Sequence, residues 1–328
     1  MKRRQSIWMG ICSSIGLMVL ILDGKTAITG AKEGLQLCLN TLIPTLLPFF
    51  FLSNLLTASL IGTNIPLLNP LARLYRIGKG TEYILLTGFL GGYPLGAQCI
   101  HEAYRQGAIS AREGRRMLAF CNNCGPAFLF GMAGALFQDP KIPWLLFGIH
   151  IASALIVSLV IPDGSVSHKT MVSPSACPVQ ALWKAIRAMA GVCGWVILFR
   201  TALAVMEKWI IRYYQKEIQV IFTGILELSN GCIALGDLEN MPLKFILCSV
   251  FVAFGGLCVI MQTYSAAASL DCCLYFPGKI TQAAVSMTLA CLLYAPKWAT
   301  IPAAAAIIAG IFLRKKEIRC RNSEKLVV

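Results

Sequence analysis

The chain alternates long apolar runs with short polar connectors from end to end. Runs of spanning length fall at about 7–22, 35–61, 83–100, 117–137, 143–161, 190–206, 218–236, 245–268, 280–296 and 299–313. A helix needs about 20 apolar residues to cross a bilayer core, so each run is predicted to be a membrane-embedded helix. The polar connector 162–189, with Asp163, His168, Lys169, Lys184 and Arg187, divides the chain into two halves. The first run follows Lys2-Arg3-Arg4 and leads into Asp23-Gly24-Lys25 without a small-x-small cleavage site, so it reads as a retained helix.

Two runs are interrupted. Gly91, Gly92, Pro94 and Gly96 fall in the middle of 83–100, and Glu227, Ser229, Asn230 and Gly231 fall in the centre of 218–236. A straight helix over 83–100 would cover about 27 Å, barely a bilayer core. A turn at the Gly/Pro cluster leaves two short arms, the geometry of a re-entrant hairpin, which lipid tolerates only where protein or a watery cavity covers it. Two neighbouring runs are also broken, at Asn122-Asn123-Cys124-Gly125-Pro126 and at Phe254-Gly255-Gly256. The halves align on Thr87-Gly88-Phe89-Leu90 and Thr223-Gly224-Ile225-Leu226. This predicts an all-α polytopic membrane protein with about eight spanning helices and two re-entrant hairpins. The single membrane domain 1–328 would hold inverted repeats at 35–137 and 190–268, followed by C-terminal helices over 280–313. Paired broken segments in two halves point to a transporter site at mid-membrane.

Composition agrees. Hydrophobic residues make up 57% of the chain and charged residues 13%, against about 25% charged in soluble domains. The net charge of +14 sits in connectors and at the ends, as in Arg314-Lys315-Lys316, where it orients membrane segments rather than forming a nucleic-acid-binding face. Treating both broken runs as re-entrant places more Lys and Arg on the cytoplasmic side than treating them as full spans. That arrangement puts both termini in the cytoplasm of a multi-pass cell (inner) membrane protein. The basic stretch Arg105 to Arg116 is read as a topological signal with headgroup contact.

These motifs resemble the sporulation integral membrane proteins of the YlbJ (SpoVV) type, within the wider group carrying the nucleoside-recognition Gate domain. The carrying residues are Leu42-Ile43-Pro44-Thr45-Leu46-Leu47-Pro48-Phe49-Phe50, Gly88-Phe89-Leu90-Gly91-Gly92-Tyr93-Pro94-Leu95-Gly96-Ala97 and Phe120-Cys121-Asn122-Asn123-Cys124-Gly125-Pro126. Leu226-Glu227-Leu228-Ser229-Asn230-Gly231 and Phe254-Gly255-Gly256-Leu257-Cys258-Val259-Ile260-Met261-Gln262 carry it in the second half. Cys124 stands where the motif has Ser. The resemblance implies a nucleoside-transporter-like architecture, and for the YlbJ type it implies movement of dipicolinic acid across the forespore membrane.

The candidate substrate-binding residues are Gly91, Gly92, Tyr93, Asn122, Asn123, Arg200, Glu227, Ser229, Asn230 and Gln262. Arg200 lies inside an apolar run at a cost of about 2.5–3.5 kcal/mol on insertion scales. It is read as an anion clamp, as a structural pair with Glu227, or as a side chain snorkelling toward an interface. Glu227, at the second hairpin tip, suits a coupling proton or sodium ion, a substrate contact, or a partner for Arg200. Asn122 and Asn123 either bind solute or repair the backbone that Pro126 leaves open. Gly-rich turns act through backbone donors. Cys121-x-x-Cys124 lacks a second ligand pair, and His101 and His150 are isolated, so neither metal nor cofactor is expected. No nucleotide, zinc-protease or nucleophile-elbow motif marks an enzyme. The leading reading is a secondary transporter of a small polar or anionic solute, with the bilayer as its surroundings and homo-oligomerisation left open. The alternative is a non-transporting membrane assembly or signalling component that reuses the fold.

Overall fold

The computed structural model describes residues 2–161 and 177–325, and every regular element among them is helical. In chain order these are α1 (Lys2–Leu22), α2 (Gly24–Leu60), α3 (Tyr83–Leu86), α4 (Leu95–Arg105), α5 (Ala111–Phe120), α6 (Pro126–Leu136) and α7 (Lys141–Val160). The second half holds α8 (Pro178–Trp209), α9 (Lys216–Leu226), α10 (Leu228–Ala234), α11 (Met241–Phe254), α12 (Gly256–Ala266), α13 (Tyr275–Tyr294) and α14 (Thr300–Lys325). Four helical stretches among the described residues are long and apolar enough to cross a membrane: α2, α7, α8 and the joined Met241–Ala266. Large apolar side chains such as Leu52, Trp144, Leu198 and Ile308 are mostly exposed on the outer surface. Water would penalise such a surface, whereas lipid solvates it, and the molecule is accordingly membrane-embedded.

Several boundaries differ from the sequence expectation, among them the last helix, which runs to Lys325 instead of 313, and three have a clear local reason. The run 35–61 is part of a helix that starts at Gly24 and is 37 residues long. Pro44 has no N–H to donate, and a π-turn over Cys38–Leu42 just before it lets the helix continue. The run 190–206 extends back to Pro178, which suits a first helical turn. That extension takes in part of the connector 162–189, of which 162–176 lie outside the described residues. Ala181, Ala185 and Ala188 face inward there, while Lys184 and Arg187 stay exposed, so a polar connector becomes one face of a helix. Finally, α13 begins at Tyr275 rather than at 280, which draws Lys279 into the protein.

Helices α2 and α8 pack antiparallel along most of their length. Asp23 meets Lys208, Gly30 meets Ala204, Cys38 meets Cys193, and Asn54 donates to the carbonyl of Ala181. Gly30 permits the close approach, since a Cβ there would lie 2.6 Å from that of Ala204. At one end Asp23 accepts bonds from Lys208 Nζ (2.8 Å to each oxygen), Thr26 Oγ1 (2.7 Å) and Trp209 Nε1 (2.8 Å). These bonds, led by those from Lys208 and Thr26, hold the Asp23 carboxyl down to about 2.

The connectors gather at two opposite ends of the bundle. The Asp23 end also holds the Lys216–Asp237 pair (2.9 Å) and the Phe137–Phe245 ring contact. The other end holds the Arg112–Glu317 and Arg115–Asp271 pairs. There Arg116 is buried rather than turned to headgroups. It donates to the carbonyls of Tyr75 (2.7 Å) and Arg76 (3.2 Å), which close the single turn Asn69–Leu74. The capping box between Ser110 and Glu113 starts α5 at this end.

Candidate functional site

Four interruptions of the helical backbone meet at one place. The first is the turn between the π-turn Thr87–Gly91 and α4, where Gly92 takes φ +82° and Tyr93-Pro94 follows. The second separates α5 from α6 at Cys121 to Gly125, ahead of Pro126. The third is Glu227, extended between α9 and α10, whose arms fold back on each other. The fourth is Gly255-Gly256, both at positive φ, between α11 and α12.

Within each half the hairpin tip touches the neighbouring broken helix. A Cβ on Gly125 would lie 2.9 Å from Gly92 Cα, and one on Gly256 would lie 3.2 Å from both the Gly224 carbonyl oxygen and the Leu228 nitrogen. Across the halves, the Tyr93 hydroxyl donates to the Val252 carbonyl (3.3 Å). Three of the breaks border a single chamber of about 40 Å³, lined by Gly91, Gly92 and Tyr93, by Cys124 and Gly125, and by Glu227 and Ser229; the helix that follows the fourth break adds Val259 and Gln262, with Leu42, Leu46, Val192 and Val196 closing the wall. That volume has room for about one water molecule.

The polar groups around the chamber are largely satisfied by one another. Glu227 caps α10: its carboxylate accepts from Ser229 N (3.0 Å), Asn230 N (2.7 Å) and Asn230 Nδ2 (2.6 Å). The backbone donors of this half-helix therefore face the protein's own carboxylate. Asn122 joins three elements. Its oxygen accepts from Ala97 N (3.1 Å), and its amide donates to Thr263 Oγ1 (2.8 Å) and the Tyr275 hydroxyl (3.2 Å). Asn123 repairs the break, donating to the Phe120 carbonyl (2.6 Å). His150 does the same through Nε2, which accepts from Cys124 N (3.1 Å). Gln262 donates to Cys258 Sγ (3.3 Å).

Lys279 is the site residue that the sequence did not single out. It is fully buried on α13. Its Nζ donates to Gln282 Oε1 (2.8 Å), the Tyr93 hydroxyl (3.2 Å) and Asn123 Oδ1 (3.2 Å), and it lies over the rings of Tyr93 and Tyr275. Among the described residues no carboxylate pairs with it. It reaches the chamber through Tyr93, which forms part of the wall. The available signal was Lys279-x-x-Gln282, one helical face just ahead of an apolar run.

Arg200 lies apart from this group. Its guanidinium pairs with Glu33 (2.5 Å) and Glu207 (2.9 Å) along the α2–α8 seam, not with Glu227. The structural pair with Glu227 expected from the sequence is therefore not formed; Glu33 and Glu207 take its place. Cys121 and Cys124 are buried among apolar neighbours. A second, polar cavity of about 470 Å³ lies on the far side of α4, lined by Asn54, Thr87, Gln98, Glu102, Lys184 and Arg187, among others.

The chain aligns with the "Sporulation integral membrane protein YlbJ" of Bacillus subtilis (strain 168) at 24% identity over 329 residues, covering 84% of this chain and 80% of that protein. This is a chain similar to a YlbJ-type sporulation membrane protein. The YlbJ likeness bears out the resemblance carried by the motifs and agrees with the lipid-facing surface. No family model matches, so the Gate-domain likeness rests on the motifs alone. No solved structure matches either.

Proposed function

We propose that the protein is a secondary transporter of a small polar or anionic solute, with its site at the chamber between the two hairpin tips and the two broken helices. The observation that carries this reading is Lys279, a buried ammonium beside the chamber with neutral partners only. Burying an unpaired charge in a membrane protein costs several kcal/mol by order of magnitude, and such residues mark substrate and ion pathways. An anion held against Tyr93 would supply the missing countercharge. Glu227 lines the same chamber, and a coupling proton or sodium ion acting there would have to displace some of the three donors that its carboxylate now accepts from.

The chamber is too small for a solute as it stands, so transport requires the two halves to part. The polar cavity along α4 supports a path from the Arg112 end, which the density of Arg and Lys there supports as cytoplasmic. Both termini would then be cytoplasmic. The YlbJ likeness supports a role in sporulation, and dipicolinate, which the motif resemblance implies, heads the panel of solutes.

Uptake by reconstituted proteoliposomes tests the proposal. Saturable uptake of at least one carboxylate in the panel is expected, and Lys279→Met should reduce it about tenfold or more, as expected when a hydrogen-bonded charge contact is lost. The same variant relieves the desolvation of a buried amine but leaves Gln282 Oε1 without its donor, so its melting temperature should change by only a few degrees, and the loss of uptake should exceed any loss of folded protein. Full transport by Lys279→Met would remove Lys279 from the site. Absence of uptake across carboxylates and nucleosides would favour the non-transporting reading.

A further inference from the structure

Beyond the chamber, a group of donor atoms sits at the Arg112 end of the bundle. The loop between α12 and α13 brings Asp271 and Cys273 against Cys320 on α14. The two sulfurs are 2.8 Å apart, and they and an Asp271 oxygen all lie within 4.8 Å of one another. Unlike Cys38, Cys121, Cys124, Cys232, Cys258 and Cys291, which are buried, both thiols are partly exposed, with Cys273 resting against the edge of the apolar core.

The loop is already shaped around these atoms. Asp271 Oδ1 accepts from Cys273 N (3.0 Å), and Tyr275 N closes the turn on the Cys272 carbonyl (3.0 Å). Arg115 pairs with Asp271 at 3.6 Å, holding the carboxylate near the sulfurs. Three groups able to carry negative charge are thus crowded together, with Arg115 as a partner for the carboxylate alone, and a cation among them would draw all three.

We propose that Asp271, Cys273 and Cys320 form a binding site for a divalent cation of the zinc class. Two thiolates and one carboxylate suit a borderline-soft, tetrahedral ion, with solvent in the fourth position. Binding would release the two thiol protons to solvent, with no change in oxidation state. Zinc–sulfur bonds of about 2.3 Å in a tetrahedral centre would part the sulfurs by about 1 Å, a shift that an exposed loop and a helix end can accommodate. Where this end faces the cytoplasm, the thiols stay reduced and open to metal. The ion would join the loop that leads into α13, and so to Lys279, to the last helix.

The test is cobalt titration of the purified full-length protein, kept reduced in detergent. One equivalent should give the intense visible bands of tetrahedral Co²⁺ with a thiolate charge-transfer band, all displaced by zinc. Cys320→Ser and Cys273→Ser should each weaken the charge-transfer band by about half or more, the double variant should abolish it, and Asp271→Asn should weaken cobalt binding about tenfold or more. Cys320→Ser lies near the chain end, and an unchanged gel-filtration profile would confirm that it folds. Absence of the bands in the native protein would overturn the proposal. So would their persistence in a Cys273→Ser/Cys320→Ser double variant, or a Cys273–Cys320 disulfide in the reduced preparation. None of these readouts depends on transport.

Discussion

Arg200 and Asp23 both tie helices together through charge. Arg200 bridges Glu33 on α2 and Glu207 on its own helix, so it ties the two longest helices together. Arg200→Ala should lower the melting temperature in detergent by a few degrees while leaving the KM for any transported solute unchanged; a raised KM with unchanged stability would return Arg200 to the site. Asp23 acts at the end of the same seam. Its carboxyl is held at about 2 when folded, against about 3.9 for a free Asp. A depressed carboxylate pKa contributes stability that is fully present above the unfolded value and is lost as pH falls through the folded one. Asp23→Asn should therefore melt below the native protein at neutral pH, and the gap should narrow as pH drops from about 4 towards 2. The pairings across the seam, Arg200 with Glu33 and Asp23 with Lys208, were not legible in the chain, because each joins residues far apart in sequence. Lys279 was missed for a different reason: it stands one position before the apolar run 280–296, where a lysine reads as a flank.

The helix breaks were legible, and the reason is chemical. Gly92, Pro94, Gly125, Pro126, Gly255 and Gly256 interrupt apolar runs that have no other cause to be interrupted, and the chain bends at each of these places. What fills each break was less accessible. His150 capping Cys124, Asn123 capping Phe120 and Glu227 capping its own helix are choices made by packing, and sequence spacing offers several partners for each. The hairpin reading has its own test. In a cysteine-reduced background, single cysteines at positions 80 and 108 should label from one side of the membrane, and those at 214 and 240 from the other. Labelling of 80 and 108 from opposite sides would make the first hairpin a full span, as the same result for 214 and 240 would the second, and either would remove the inverted repeat.

At the scale of the molecule, the contacts sort the connectors into two groups at opposite ends of the bundle. The antiparallel pair of α2 and α8 runs between them. At 1.5 Å per residue, helices of 37 and 32 residues reach about 56 and 48 Å, against a hydrocarbon core of about 30 Å. Such a pair must lean or protrude, and the ion pairs along its seam make it lean as a unit. Its tilt then becomes a reading of how thick the surrounding lipid is. Because Val192 and Val196 of α8 and Leu42 and Leu46 of α2 form one wall of the chamber, acyl-chain length would be felt at the site itself. Uptake rates measured in bilayers of stepwise longer lipids should pass through an optimum, and a flat profile would mean that the beam moves independently of the chamber it borders.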